Sequence, residues 1–120
     1  MEQRYRSITY RGHDVTLVDL TNLDNEKEII RLLRTRTGDE KPHGLLVDVT
    51  NAHISPTSLA VAKGDAKQVQ SFIKATAVVG SGSMVGMMVR AVSRFSGMNI
   101  RTFDTREEAM EYLAAELSKR

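Results

Sequence analysis

The sequence predicts an α/β fold built on a largely parallel five-stranded sheet with four helices, and three observations carry that expectation. Two apolar runs, Leu45-Leu46-Val47 with Val49 and ATAVV at residues 75–79, lack the alternation of half-exposed strands. They read as strands buried on both faces. Helix-start signals follow at intervals: Asn25 with Glu28, Ser55-Pro56, Ser83, and Thr105 with Glu108. The order is therefore strand, strand, helix, then strand and helix three times over, which implies right-handed crossovers.

Each element has its own justification. Residues 7–10 and 15–20 read as strands around Arg11-Gly12-His13-Asp14, a hairpin. The spacing predicts a helix over 25–36, capped by Asn25, with Ile29, Ile30 and Leu33 as its apolar face and Gly38 terminating it. Lys27, Arg31 and Arg34 form a polar stripe on it, read as a solvated face. Residues 44–49 give the central strand, and Thr50 to Ile54 turn the chain. Ser55 then caps a helix with Pro56 at its first position. Its apolar residues Leu59, Ala62, Ala66, Val69 and Ile73 recur at steps of three and four, flanked by Phe72. Gly64 is the weak link there, costing about 1 kcal/mol relative to alanine. After the 75–79 strand, residues 80–82 turn the chain, and Ser83 caps a helix that Gly97 closes. Residues 100–103 form the last strand, and the final helix turns Ala109, Leu113 and Leu117 inward. No linker, low-complexity segment or internal repeat is evident.

At 120 residues the chain has room for one domain and a real core, residues 1–120. With 41% hydrophobic and only 5% aromatic residues, that core is aliphatic. The absence of cysteine removes disulfides, thiolate metal sites and cysteine nucleophiles. The opening MEQRYRSITY lacks the apolar stretch of a signal peptide, and no segment approaches transmembrane length, so a cytoplasmic protein is expected. A net charge of +2 is too slight to point to nucleic acid, despite a pI of 9.1.

The segment VDVTNAHISPTSLAVA resembles the strand–loop–helix centre of STAS domains, the sulphate-transporter and anti-sigma-factor-antagonist family. The later block AVVGSGSMVGMMVRAVSRFSGMNIRTFDTREEAMEYL is closer still to small stand-alone bacterial STAS-like proteins. There the RFSG ending and the FDT-x-EEA-x-x-YL finish recur. The resemblance spans residues 14–117. It implies a βα superhelix with strands adjacent in chain order, a fold shared with CRAL-TRIO lipid carriers. In anti-sigma factor antagonists an Asp-Ser-Ser-Gly motif is phosphorylated at the start of the helix after the central strand. By position it falls over Ser55-Pro56-Thr57-Ser58, where no acid precedes the hydroxyls, proline takes one hydroxyl's place and the glycine is absent. Ser55 and Thr57 both remain as the nearer match.

Other constellations are weighed by their chemistry. Gly80-Ser81-Gly82-Ser83, running on to Gly86, follows a strand and opens a helix, as phosphate-binding loops do. Its spacing is GxGxxxG, it lies late in the chain, and no P-loop lysine follows, so a tight turn capped by Ser83 is the plainer reading. Asp48 ends a buried strand but lacks the second aspartate or the acidic pair and lysine of phosphoaspartyl enzymes. It reads as an acceptor for loop N–H groups. His13, His43 and His53 fall in predicted loops without ligand spacing, and no metal or cofactor is expected. Residues 84–92, MVGMMVRAV, are apolar around most of a helix, which suits either a buried helix or a contact surface. On the second reading Met84, Met87, Met88 and Ala91 meet a second subunit, a membrane surface or an apolar ligand, with Arg90 and Arg94 at the rim.

The sequence thus points to a non-catalytic STAS-like regulatory or protein-interaction domain, dimeric through the methionine-rich helix. A partner is expected around Asp48, Asn51, Ser55, Thr57 and Ser58. The alternatives are a lipid or apolar-ligand carrier and, third, an enzyme using the Gly80–Gly86 loop for an anion.

Overall fold

The computed structural model describes residues 4–34, 43–53, 55, 57, 60, 73–80 and 100–119. They contain β1 (Tyr5–Tyr10), β2 (His13–Asp19), α1 (Glu26–Arg34), β3 (His43–Asp48), β4 (Ile73–Val79), β5 (Ile100–Phe103) and α2 (Arg106–Leu117). The five strands form one sheet in chain order, β1-β2-β3-β4-β5. β1 is antiparallel to β2 at one edge, and every other pairing is parallel. The expected sheet is therefore present. Two of the four expected helices are α1 and α2. Of the helix expected after Ser55 only Thr57 and Ala60 are described, both helical, and the one expected after Ser83 lies outside the described residues.

The hairpin is tighter than expected. Arg11 and Gly12 alone form the turn, with φ of 52° and 82°, and His13 and Asp14 belong to β2. Positive φ at both central residues matches the twist of the two strands. His43 also proves to be a strand residue, the first of β3, while His53 is in a loop. Ile73 opens β4, paired with His43, where the spacing of apolar residues placed it at the end of a helix. A β-branched residue heading a run of strand formers is better accommodated by the ladder.

β2 and β4 carry unbroken runs of four and five buried residues, as strands covered on both faces require. On one face Val15, Leu17, Leu46, Ala75, Ala77 and Val79 pack against Ala109 and Leu113 of α2. On the other, Val18, Leu20, Val49 and Val78 pack against Ile29 and Leu32 of α1. Each fully buried Leu, Ile or Val contributes about 1.5–3 kcal/mol. The α1 face matches the expected one in part: Ile29 is buried as expected, Leu32 is buried beside it, and Ile30 is only partly so. The docking surface of Val18, Leu20 and Val49 is what Ile29 and Leu32 meet. Small residues set the height of α2. A Cβ on Gly44 would stand 3.2 Å from Leu117 Cδ1 and 3.4 Å from Leu113 Cδ2, and Gly44 pairs with Ala75 beneath the same helix.

Both helices begin as expected. The Asn25 side chain accepts the Glu28 N–H at 3.1 Å. Thr105 accepts the Glu108 N–H at 3.2 Å, and the Glu108 carboxylate meets the Thr105 hydroxyl. Residue 106, the first of α2, thereby comes to lie beside the carboxyl ends of the parallel strands.

Candidate functional site

β2 and β3 end in register, Asp19 opposite Asp48, and each runs into the same kind of turn. The Asp19 carboxylate accepts the Thr21 N–H at 3.0 Å and the Thr21 hydroxyl at 2.6 Å. Asp48 accepts the Thr50 N–H and hydroxyl at 3.0 and 2.6 Å. The Leu23 N–H closes the first turn on the Leu20 carbonyl, and the Ala52 N–H closes the second on Val49. The third residue of each turn, Asn22 or Asn51, takes φ of 60° or 57°. Asparagine is the side chain that tolerates this conformation best after glycine.

The turns are written by one pattern, Val18-Asp19-Leu20-Thr21-Asn22 and Val47-Asp48-Val49-Thr50-Asn51. This five-residue repeat is too short to register as a domain-scale periodicity. The turns also lean on one another. The Leu20 N–H donates to the Asp48 carbonyl at 2.8 Å, the Asn22 N–H to Thr50 at 3.0 Å, and the His53 N–H to Leu23 at 2.8 Å.

Arg106 binds both carboxylates. Its Nε donates to Asp48 Oδ2 at 2.6 Å, and its Nη2 lies 3.2 Å from Asp19 Oδ2. Arg4 adds Nη1 bonds to the Thr21 and Asp19 carbonyls at 2.9 and 3.2 Å. The Asp48 side chain is 6% exposed, Asp19 23% and Arg106 38%. Burial works against ionisation of Asp19, but the Thr21 hydroxyl and N–H and the Arg106 guanidinium outweigh it and hold its pKa below the usual value. Burial likewise opposes the charge on Arg106, and the two carboxylates overcome it and raise its pKa. Both acids are thus committed to internal donors, the role expected of Asp48, and neither is presented as a nucleophile.

The loop beyond Asp48 is fixed to this base, with Ala52 packed against the core on the α1 side. Thr50, Asn51, His53 and Thr57 are exposed. Ser55 is half-buried and donates its hydroxyl to Glu26 Oε1 at 2.7 Å, tying the loop to the start of α1. Of the expected site residues, Asp48, Asn51, Ser55 and Thr57 are therefore gathered at one end of the sheet, and Ser58 lies outside the described residues. Gly80 donates its N–H to the Phe103 carbonyl at 3.0 Å, so that group is engaged in the sheet. Ser81, Gly82 and Ser83 lie outside the described residues, as do Met84, Met87, Met88, Arg90, Ala91 and Arg94.

Asp19, Thr21, Arg4 and Arg106 were not expected. The repeat is the signal for Asp19 and Thr21. For Arg106 it is a cation in the first turn of a helix, where the helix dipole favours anions such as Glu107 and Glu108. Among the described residues no group of three or more His, Asp and Glu could hold a metal ion. No helix among them is long and apolar enough to cross a membrane.

A family model described as SpoIIAA-like matches residues 13–114. No curated protein matches the chain. Among solved structures, an uncharacterized protein of the DUF3478 family from Shewanella loihica PV-4, with a SpoIIAA-like fold, is similar at a TM-score of 0.61. It is 16% identical over 91% of each chain, a likeness that shows the fold.

Proposed function

The chain belongs to the SpoIIAA-like family, and from that membership and the braced loop after β3 we propose that it is a non-catalytic regulatory domain binding a protein partner through that loop. The observation that carries the reading is the division of labour around Asp48. Its carboxylate is spent on Thr50 and Arg106, while Asn51, His53 and Thr57 stand outward on the backbone so fixed. A preformed loop loses little conformational entropy on binding.

Phosphorylation is the regulation that the family resemblance suggests, and the geometry favours Thr57 over Ser55 for it. A phosphate on Ser55 would meet the Glu26 carboxylate that now accepts its hydroxyl, whereas Thr57 is exposed. Self-association through Met84, Met87, Met88 and Ala91 belongs to the same reading and rests on the sequence. Met87→Glu should then turn a dimer into a monomer in sedimentation velocity.

The test of the main reading is in-cell photo-crosslinking from position 51, with the exposed position 7, midway along the edge strand β1, as control. A discrete adduct with another protein at 51 and none at 7 is expected. Equal, diffuse crosslinking from both positions would defeat the reading. Phosphopeptide mapping of the same cells reports on Ser55, Thr57 and Ser58; if all three are unmodified, the phosphorylation part falls.

A further inference from the structure

β1 is an edge of the sheet, and its ladder shows which backbone groups are left over. The Asp19 N–H donates to the Arg4 carbonyl at 2.6 Å, so Arg4, Arg6, Ile8 and Tyr10 turn their backbone groups toward β2. Ser7 and Thr9 turn theirs outward. Both are exposed, and among the described residues neither is hydrogen-bonded on that side. Such an edge is usually guarded by proline, lysine, a bulge or brevity. β1 runs six residues in unbroken register with β2, without proline or lysine, and is rich in the strand formers Tyr, Ile and Thr. Its single charge is the exposed Arg6.

We propose that this edge pairs with β1 of a second copy, antiparallel about a two-fold axis at Ile8. The side chains choose that register. An axis at Arg6 would set two guanidinium groups against each other, and an axis at Ser7 would set Arg6 against the apolar Ile8 of the second copy. An axis at Ile8 pairs the two isoleucines, Ser7 with the second copy's Thr9, and Arg6 with its Tyr10. All three pairs are compatible in character. Arg6, Ile8 and Tyr10 lie on the α2 face, opposite Leu17, Val15 and His13. There the Tyr10 hydroxyl donates to Glu111 Oε1 at 2.5 Å, and Arg11 already lies 5.4 Å from the Tyr10 ring centroid and 2.6 Å from Glu111. Arg6 thus meets across the axis a tyrosine ring with a carboxylate at its hydroxyl, a setting that holds a guanidinium within one chain. The axis stands perpendicular to the sheet, so both α2 helices share one face and the loops after the two β3 strands point to opposite ends. Neither loop obstructs the other. One strand pair buries less than about 1,200 Å², which makes the dimer weak and reversible.

On this reading the dimer contact is β1 and not the methionine-rich helix, and one set of variants decides between them. The chain has no cysteine, so a single introduced cysteine reports the contact without background. At a non-hydrogen-bonded pair on the axis the Cα atoms stand about 4.5 Å apart, within disulfide reach. Ile8→Cys should therefore be trapped as a disulfide dimer under mild oxidation, whereas Ser7→Cys, opposite Thr9 rather than itself, should not. Ser7→Pro removes an outward N–H and no bond to β2, so adding it to Ile8→Cys should abolish trapping and leave the thermal transition in place. Arg6→Glu should slow trapping about tenfold, the effect of two reversed cross-strand pairs. Met87→Glu should leave it intact. Sedimentation velocity repeats the test without a cysteine: the parent should dimerise and Ser7→Pro should not. Trapping of Ser7→Cys as fast as Ile8→Cys, trapping that survives Ser7→Pro, or a monomeric parent overturns the inference. Loss of the dimer in Met87→Glu but not in Ser7→Pro assigns the contact to the helix and overturns it too. Crosslinking from position 51 is read independently, so the loop-binding reading stands or falls by itself.

Discussion

Replacing Arg106 by alanine tests whether the ionic bridge holds the two turns, and its magnitude can be worked from the geometry. The change leaves Asp48 Oδ2 without its donor in a side chain only 6% exposed. A hydrogen bond to a buried charged acceptor is worth about 1.5–3 kcal/mol net. The Asp19 contact, at 3.2 Å and between groups 38% and 23% exposed, is screened and adds about 0.5 kcal/mol. Water can reach part of the vacated space, because Arg106 is itself partly exposed, so the full 3–5 kcal/mol of a broken buried pair is not expected. The sum is a loss of about 2–3.5 kcal/mol.

Urea denaturation followed by circular dichroism reads this directly. With a slope of about 1.5 kcal/mol per molar for a chain of this size, the midpoint should fall by about 1.3–2.3 M. Asp48→Asn and the double variant complete a cycle whose coupling should be about 1.5–2 kcal/mol. A midpoint shift equivalent to less than about 0.5 kcal/mol, or strictly additive single changes, would refute the reasoning. Arg106 would then be a surface cation that happens to lie near two acids.

Three further outcomes are expected. Asp19 has a folded pKa below its unfolded value of about 3.9, so its contribution is complete above that pH and disappears as pH falls through the folded value. Asp19→Asn should therefore flatten the acid limb of thermal stability below about pH 4 and leave the slope between pH 5 and 8 unchanged. Gly44→Val should cost about 2 kcal/mol by overpacking against Leu113 and Leu117, while Gly44→Ala, meeting only the mobile ends of those leucines, should stay within about 1 kcal/mol of the parent. Thr105→Ala removes the α2 cap and should cost about 1 kcal/mol in the same denaturation assay.

What the sequence made legible was local. The unalternating run of β4 announces a strand covered on both sides, and the caps at Asn25 and Thr105 act within three residues, so both are readable from neighbours alone. The burial of Leu32 was not, because Ile29, Ile30 and Leu32 are all apolar and only the sheet beneath decides which of them turn inward. The hairpin turn was placed correctly but drawn too long, since strand ends depend on pairing more than on propensity.

The site depends on distance along the chain. Arg106 meets Asp48 across 58 residues, and no local spacing foretells that contact. Two irregularities nevertheless stood in the sequence: a five-residue pattern used twice, and an arginine in a helix's first turn. Each makes poor sense within its own element. A repeated Asp-x-Thr-Asn turn is intelligible once the two strands lie side by side, and a cation against the helix dipole is intelligible once two carboxylates lie in front of it. The chain's last helix thereby fixes the shape of the loop that follows its central strand. A partner that binds this loop meets a surface whose rigidity is set by Arg106, a residue it need not touch.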